Sequence, residues 1–261
     1  MPFFNSGKVR IYYEESGDGT PLVFLHGFTL DHRMWEKQVE YFSRKYRVIV
    51  FDARGHGRSD GPETGYAREN RADDILNLSE HLGFQRFHLV GLSMGGGDAL
   101  SFAIDHQDRL LSLTLADTVA SGYMPATKFR DFSETLKTAG VEAAKKEFIE
   151  SSLSYYVKRD VEIRDKLAIM MNDFSGKPWL DPMRGNYPKR DDVRLSASVR
   201  IPTLIIVGKK DMAWVPLAKI LNETMLDSEL EILPGVGHMS NMEAPDKFNT
   251  ILEAFLLKAV N

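Results

Sequence analysis

Short, uninterrupted apolar runs recur along this chain, separated by stretches whose apolar residues fall three and four positions apart. The first habit belongs to strands buried on both faces, the second to amphipathic helices. In the first half, KVRIYYEES (8–16), LVFLHG (22–27), YRVIVFD (46–52), FHLVGL (87–92) and LLSLTLAD (110–117) predict strands. Helices are predicted near Met34–Tyr41 and Ala67–Leu82 and from Met94 onward, while SGDGTP (16–21) and ARGHGRSDGPETG (53–65) read as a turn and a Gly-rich loop. Strands alternating with helices predict an α/β fold, with a mostly parallel central sheet and helices on both faces.

From about Gly122 to Ser198 the pattern changes. Segments such as VEAAKKEFIESSL (141–153) are helical and charged, and no run there predicts a strand. The strand pattern returns with TLIIVGK (203–209) and LEILPG (230–235), joined by a helix near Pro216–Met225. A terminal helix over 244–260 follows, with Phe248, Ile251, Leu252, Phe255 and Leu256 on one face. The expected organisation is a core domain of residues 1–121 and 199–261, with a helical cap inserted at 122–198.

Composition narrows the range of partners. With 43% hydrophobic and 27% charged residues, 261 positions suffice for a sizeable core. A formal net charge of -4 offers no electrostatic footprint for nucleic acid or an anionic membrane. The absence of cysteine removes disulfides, thiolate metal sites and a cysteine nucleophile. No apolar run is long enough to span a bilayer and no basic start precedes an apolar stretch, so a cytoplasmic location is expected.

Candidate chemistry begins at VGLSMGGGDAL (90–100), where a buried strand meets a helix. Gly91-Leu92-Ser93-Met94-Gly95 fits the GxSxG pattern, in which glycines allow a sharp strand-to-helix turn that exposes the serine hydroxyl. A serine hydroxyl is a weak nucleophile near neutral pH, so Ser93 needs a histidine base, and that base needs a carboxylate to fix its tautomer. Asp211 and His238 follow two later strands and complete the chain order serine, acid, histidine. Asp117 also ends a strand and is the rival acid, whereas His26, His56 and His106 read as structural or surface residues. Two backbone N–H donors are expected to form an oxyanion hole, from Met94 after the nucleophile and from Phe28 in the loop after LVFLHG.

The chain resembles the α/β-hydrolase family across nearly its whole length. Besides the elbow it carries LHGF (25–28), then DARGHGRSD (52–60) where the family commonly has DxRGxGxS, and GHMSNMEAPDKF (237–248) where it commonly has GHxxxxExPxxF. In the family the second of these is a structural loop, so the resemblance implies that Asp52, Arg54 and His56 are scaffold. One departure is that Pro216 stands five residues after Asp211 instead of the usual four, which implies an acid loop with one extra residue.

A serine at the elbow sets this chain apart from related dehalogenases and epoxide hydrolases, which carry aspartate there. Acyl transfer to water is the expected reaction, with Ser93 attacking a carbonyl, His238 shuttling the proton and Asp211 stabilising the imidazolium. The elbow GLSMGG is similar to that of 3-oxoadipate enol-lactone hydrolases and related serine carboxylesterases, which implies a small-molecule ester or lactone. WVPL (214–217) is similar to the acid loop of hydrolases that cleave carbon–carbon bonds of ring-fission products, but those usually carry asparagine and an aromatic where this chain has Leu92 and Met239. A non-catalytic receptor for a small ligand is the alternative from another class. No metal or organic cofactor is required. The expected pocket includes Phe28, Trp35, Met94, Tyr123, Trp179, Trp214 and Met239, with core packing the competing role for Trp35 and Trp179, and an apolar pocket would suit aromatic or medium-chain acyl groups.

Overall fold

The computed structural model describes residues 2–127, 129–156, 160–187 and 189–259. Its strands are β1 (Phe3–Ser6), β2 (Val9–Ser16), β3 (Thr20–Leu25), β4 (Tyr46–Phe51), β5 (Phe87–Leu92), β6 (Leu110–Ala116), β7 (Thr203–Gly208) and β8 (Ser228–Leu233). They form one sheet in the order β1-β2-β4-β3-β5-β6-β7-β8. β2 runs antiparallel to β1 and to β4, and β3 to β8 are mutually parallel. The sequence pattern does not predict β1. Its four residues pair with β2 in a hairpin that turns at Gly7, whose φ of 61° lies in the left-handed region.

Side chains alternate across the sheet and so build two cores. Leu22 and Phe24 of β3 face one way, onto α1 (Glu36–Phe42) and α10 (Pro245–Ala259) through Phe42, Phe248 and Leu252. Val23 and Leu25 face the other way, onto α2 (Arg68–His81), α3 (Met94–His106) and α8 (Val215–Thr224) through Ile75, Leu100 and Leu217. Each such side chain contributes roughly 1.5–3 kcal/mol on burial. The terminal helix predicted to residue 260 is described to Ala259, and Val260 lies outside the described residues.

Two residues expected in the pocket belong to the first of these cores instead. Trp35 is fully buried, with its ring centroid 4.9 Å from that of Phe24 and 6.1 Å from that of Phe248. It ends a short 3₁₀ turn, His32–Trp35, that points it under the sheet. Met239 is buried in the same core.

Between β6 and β7 the described part of 122–198 holds α4 (Ser133–Tyr156), α5 (Val161–Asp173), α6 (Lys177–Leu180) and α7 (Asp192–Leu195), and no strand. Residues 128, 157–159 and 188 of that segment lie outside the described residues. Because β3 sits between β4 and β5, the chain crosses the sheet in opposite directions from β3, and the loops after β3 and β5 leave its carboxyl edge side by side. Such a switch point is where open α/β sheets bind ligands.

Candidate active site

Ser93 occupies the turn from β5 into α3 with φ 54° and ψ -113°, a strained conformation for a residue with a side chain. The turn is tight enough that a β-carbon on Gly91 would lie 2.2 Å from the carbonyl oxygen of Gly95. The Ser93 amide donates to the Ala116 carbonyl (3.0 Å), and the Gly95 amide donates to the His26 carbonyl (3.1 Å). These bonds tie the start of α3 to its neighbouring strands and overdetermine the strained residue.

Asp211 lies in the turn after β7, where its carbonyl accepts the amides of Trp214 and Val215, both at 3.0 Å. Pro216 then falls in the first turn of α8, so the longer acid loop closes onto Asp211 before the helix begins. His238 follows β8. Its Nδ1 lies 2.6 Å from Asp211 Oδ2 and its Nε2 lies 3.0 Å from Ser93 Oγ. With a carboxylate acceptor on one side, Nδ1 carries the proton and Nε2 accepts from the serine hydroxyl. Burial by itself lowers the pKa of His238, but the charge and hydrogen bond of Asp211, aided by Asp117 and Glu243, outweigh it and leave the imidazole above its ordinary value.

Asp117, the rival acid, is fully buried and does not hydrogen-bond His238 among the contacts described. Its Oδ1 accepts the Gly208 amide (2.8 Å) and its Oδ2 the Ser240 amide (3.2 Å). Burial pushes its pKa up to about 7. It ties the end of β7 to α9 (Ser240–Glu243), directly after His238. Glu243, which the sequence motif contains without assigning it a role, accepts the amides of Gly237 (2.9 Å) and Met239 (3.1 Å).

The amides of Phe28 and Met94 have no protein acceptor among the described residues. Their loop is braced from below by His26, whose Nδ1 donates to the Gly27 carbonyl (2.8 Å) while Nε2 accepts from the Ala53 amide (2.9 Å). Burial lowers the pKa of His26, consistent with a neutral ring that both donates and accepts. Arg54, next to Ala53, holds the Gly-rich loop after β4 through a buried two-pronged pair with Asp74 (2.8 and 2.7 Å).

Ser93 opens onto two cavities. The first, about 360 Å³, is lined by Phe28, Val119, Phe129, Phe132, Phe148, Trp179, Trp214 and His238, with Arg130, Arg184, Thr127, Ser151 and Ser152. The second, about 300 Å³, meets Ser93 and Met94 beside Tyr66, Arg71, Asp181, Arg184 and Tyr187. Trp179 and Trp214 thus lie on the cavity wall, whereas Trp35 and Met239 do not. Tyr123 packs on Trp214 and donates to the Ala213 carbonyl (3.3 Å) without lining either cavity. Phe129, Phe132 and Phe148 escaped the sequence reading, although an aromatic pair three residues apart within a polar segment was a visible signal. Phe28 joins these walls, its ring 5.5 Å from Phe174 and 6.3 Å from Trp179 in edge-to-face contact.

Two clusters bring metal-ligating types together, Asp31-His32-Asp52 and Asp117-Asp211-His238. In the first, Asp52 Oδ1 accepts from the His32 amide (2.9 Å) and ring (2.7 Å), Oδ2 accepts from the Arg58 amide (2.9 Å), and Asp31 grips Arg33. The second spends its oxygens on His238, Gly208 and Ser240.

A switch-point serine on a strained elbow, hydrogen-bonded to a histidine that is in turn bonded to an aspartate, both from later strand ends, marks a class of enzymes built on this sheet. The chain belongs to the α/β-hydrolase family, whose model matches residues 20–245. Among its relatives are 3-oxoadipate enol-lactonase 2 of Acinetobacter baylyi, 30% identical over 98% of each chain, and AB hydrolase superfamily protein YisY of Bacillus subtilis, 30% identical over 95% of each. A solved structure of a thermophilic esterase from Thermogutta terrifontis is similar with a TM-score of 0.83 and 30% identity, covering 96% of this chain and 94% of that one. No helix among the described residues is long and apolar enough to cross a membrane.

Proposed function

We propose that this protein is a serine hydrolase that cleaves a small-molecule carboxylic ester or lactone through an acyl-enzyme. One observation carries the reading, the continuous hydrogen-bond chain from Ser93 through His238 to Asp211. Ser93 Oγ attacks the carbonyl carbon as His238 Nε2 takes its proton, and the oxyanion forms against the amides of Phe28 and Met94. The carbon–oxygen bond to the leaving group breaks as Nε2 returns the proton to it. Water then attacks the acyl carbon, Nε2 takes the water's proton, and Oγ leaves with that proton as the acid is released. Asp211 holds the tautomer and stabilises the imidazolium in both halves. The segment 122–198 acts as a lid that supplies Phe129, Phe132, Phe148 and Trp179 to the cavity wall. Relatives named as an enol-lactonase and an esterase support the same bond class. The carbon–carbon reading leaned on WVPL, whose Val215, Pro216 and Leu217 serve here to begin α8.

The test is labelling with a fluorophosphonate followed by peptide mass spectrometry, beside assay of Ser93→Ala on aryl esters. An adduct on Ser93 and a loss of kcat on the order of a millionfold are expected. An unlabelled Ser93, or unchanged hydrolysis by the variant, overturns the assignment.

A further inference from the structure

Three arginines line the cavities that meet at Ser93, and they differ in what their charges face. Arg130 is paired with Glu147 (2.5 Å), and Arg71 with Asp98 (2.7 Å). Arg184 lines both cavities, and among the described residues its guanidinium has neither an ion-pair nor a hydrogen-bond partner. Asp131 acts on it through charge alone and is itself engaged by the Ser133 amide (2.9 Å) and hydroxyl (2.6 Å). Asp181, which lines the second cavity, is likewise occupied, accepting from the Met183 amide (2.9 Å) and the Tyr187 hydroxyl (2.5 Å). Arg184 is exposed at the cavity rim, and partial burial there pulls its pKa below the ordinary arginine value, with Asp131 opposing.

A guanidinium that borders both cavities with five donors and, among the described residues, no protein acceptor suits a planar anion, and a carboxylate matches its fork. We propose that Arg184 is a specificity-determining residue that selects esters or lactones bearing a second, unreacting carboxylate. The apolar body of the substrate rests on Phe28, Trp179 and Trp214, and its free carboxylate meets Arg184. This inference rests on the hydrolase reading for the site but concerns only which substrate is preferred.

The experiment compares kcat/KM for p-nitrophenyl hemiglutarate with that for its neutral methyl-ester counterpart, and for 4-acetoxybenzoate with that for its methyl ester. These place the carboxylate on the acyl and the leaving-group side in turn. A preference of about tenfold or more for the anionic member of at least one pair is expected. It should fall to near parity in Arg184→Gln, be partly kept in Arg184→Lys, and weaken as salt rises, which a purely structural arginine would not produce. Hydrolysis of both pairs without anionic preference, or a preference untouched in Arg184→Gln, overturns the proposal. A binding arm separates the two readings, with monomethyl glutarate titrated calorimetrically into Ser93→Ala and into Ser93→Ala/Arg184→Gln. Arg184-dependent binding in a wild-type protein that hydrolyses nothing would sink the hydrolase reading and leave this one standing, and equal binding by both variants would sink this one.

Discussion

Glu243 brackets His238, its two carboxylate oxygens accepting the amides of Gly237 and Met239 on either side of the imidazole-bearing residue. The bond from Asp211 orients the ring, while Glu243 holds the backbone that carries it. Burial raises the pKa of Glu243 against the pull of these two amides.

Glutamine at position 243 can accept from one of these amides but turns an NH₂ toward the other, and alanine leaves both buried amides unmet. The expected result of Glu243→Ala is a fall in kcat of about 10- to 100-fold with KM little changed, because a base displaced by a fraction of an ångström loses its alignment before binding suffers. Steady-state kinetics on an aryl ester check this, with Glu243→Gln falling between wild type and alanine. A change confined to KM would assign Glu243 to the substrate pocket.

Strain at Ser93 gives a second prediction. A side chain at φ 54° and ψ -113° costs on the order of 1–3 kcal/mol, which glycine avoids while losing roughly 0.5–1 kcal/mol in backbone entropy. Ser93→Gly is therefore expected to be about 1 kcal/mol more stable than Ser93→Ala, a rise of about 2–4 °C in Tm, with both variants inactive. Equal melting temperatures would mean that the elbow is not strained.

Much of this geometry is legible in the chain because β3, β5 and β7 are nearly continuous apolar runs and the loops after them are short. Ser93, Asp211 and His238 stand out as reactive types at strand ends, and the structure brings the three together. Strand β1 was not legible, since FFNS is too short to show a period and gains its partners only from the hairpin. Trp35 and Met239 show a different limit. A large apolar residue near a motif has the same signature whether it faces a core or a cavity, and only the path of the chain decides. Gly96, surplus to the elbow pattern, has a reason no local pattern contains. A β-carbon there would lie 2.3 Å from Thr118 Oγ1 in the loop after β6, so the residue is small to let α3 pass that loop.

The brace of the Gly-rich loop after β4 gives a prediction of stability. Arg54 and Asp74 are both buried, their pair is two-pronged, and Arg54 also donates to the Gly65 carbonyl (2.8 Å). Removing one partner leaves a buried charge unmet, so Arg54→Met or Asp74→Leu alone should each lose about 3–5 kcal/mol. The double variant should recover most of that loss, and Arg54→Lys should fall short because an ammonium cannot copy the fork. Urea unfolding of the four variants measures the coupling. Additive losses in the double variant would mean that the two residues act independently.

The pH dependence follows from His238 and Asp117 together. The base works as a neutral imidazole, so kcat/KM is expected to rise with pH through a pKa above 6.5. Asp117→Asn removes a carboxylate whose charge lifts His238, and the acid limb should move to lower pH. Stability carries an independent signature. Asp117 holds its proton in the folded protein up to about 7 but releases it near 3.8 when unfolded, so the native state binds more protons across that window and is destabilised as pH rises through it. The raised pKa of His238 acts in the same direction, its contribution being complete below 6.5 and lost as pH climbs through the folded value. Denaturation midpoints at about pH 5 and pH 8 should therefore differ less in Asp117→Asn than in the wild type, after its overall loss from one unmet backbone amide is subtracted. An unchanged difference would show that Asp117 is ionised in the folded as in the unfolded chain and only joins β7 to α9.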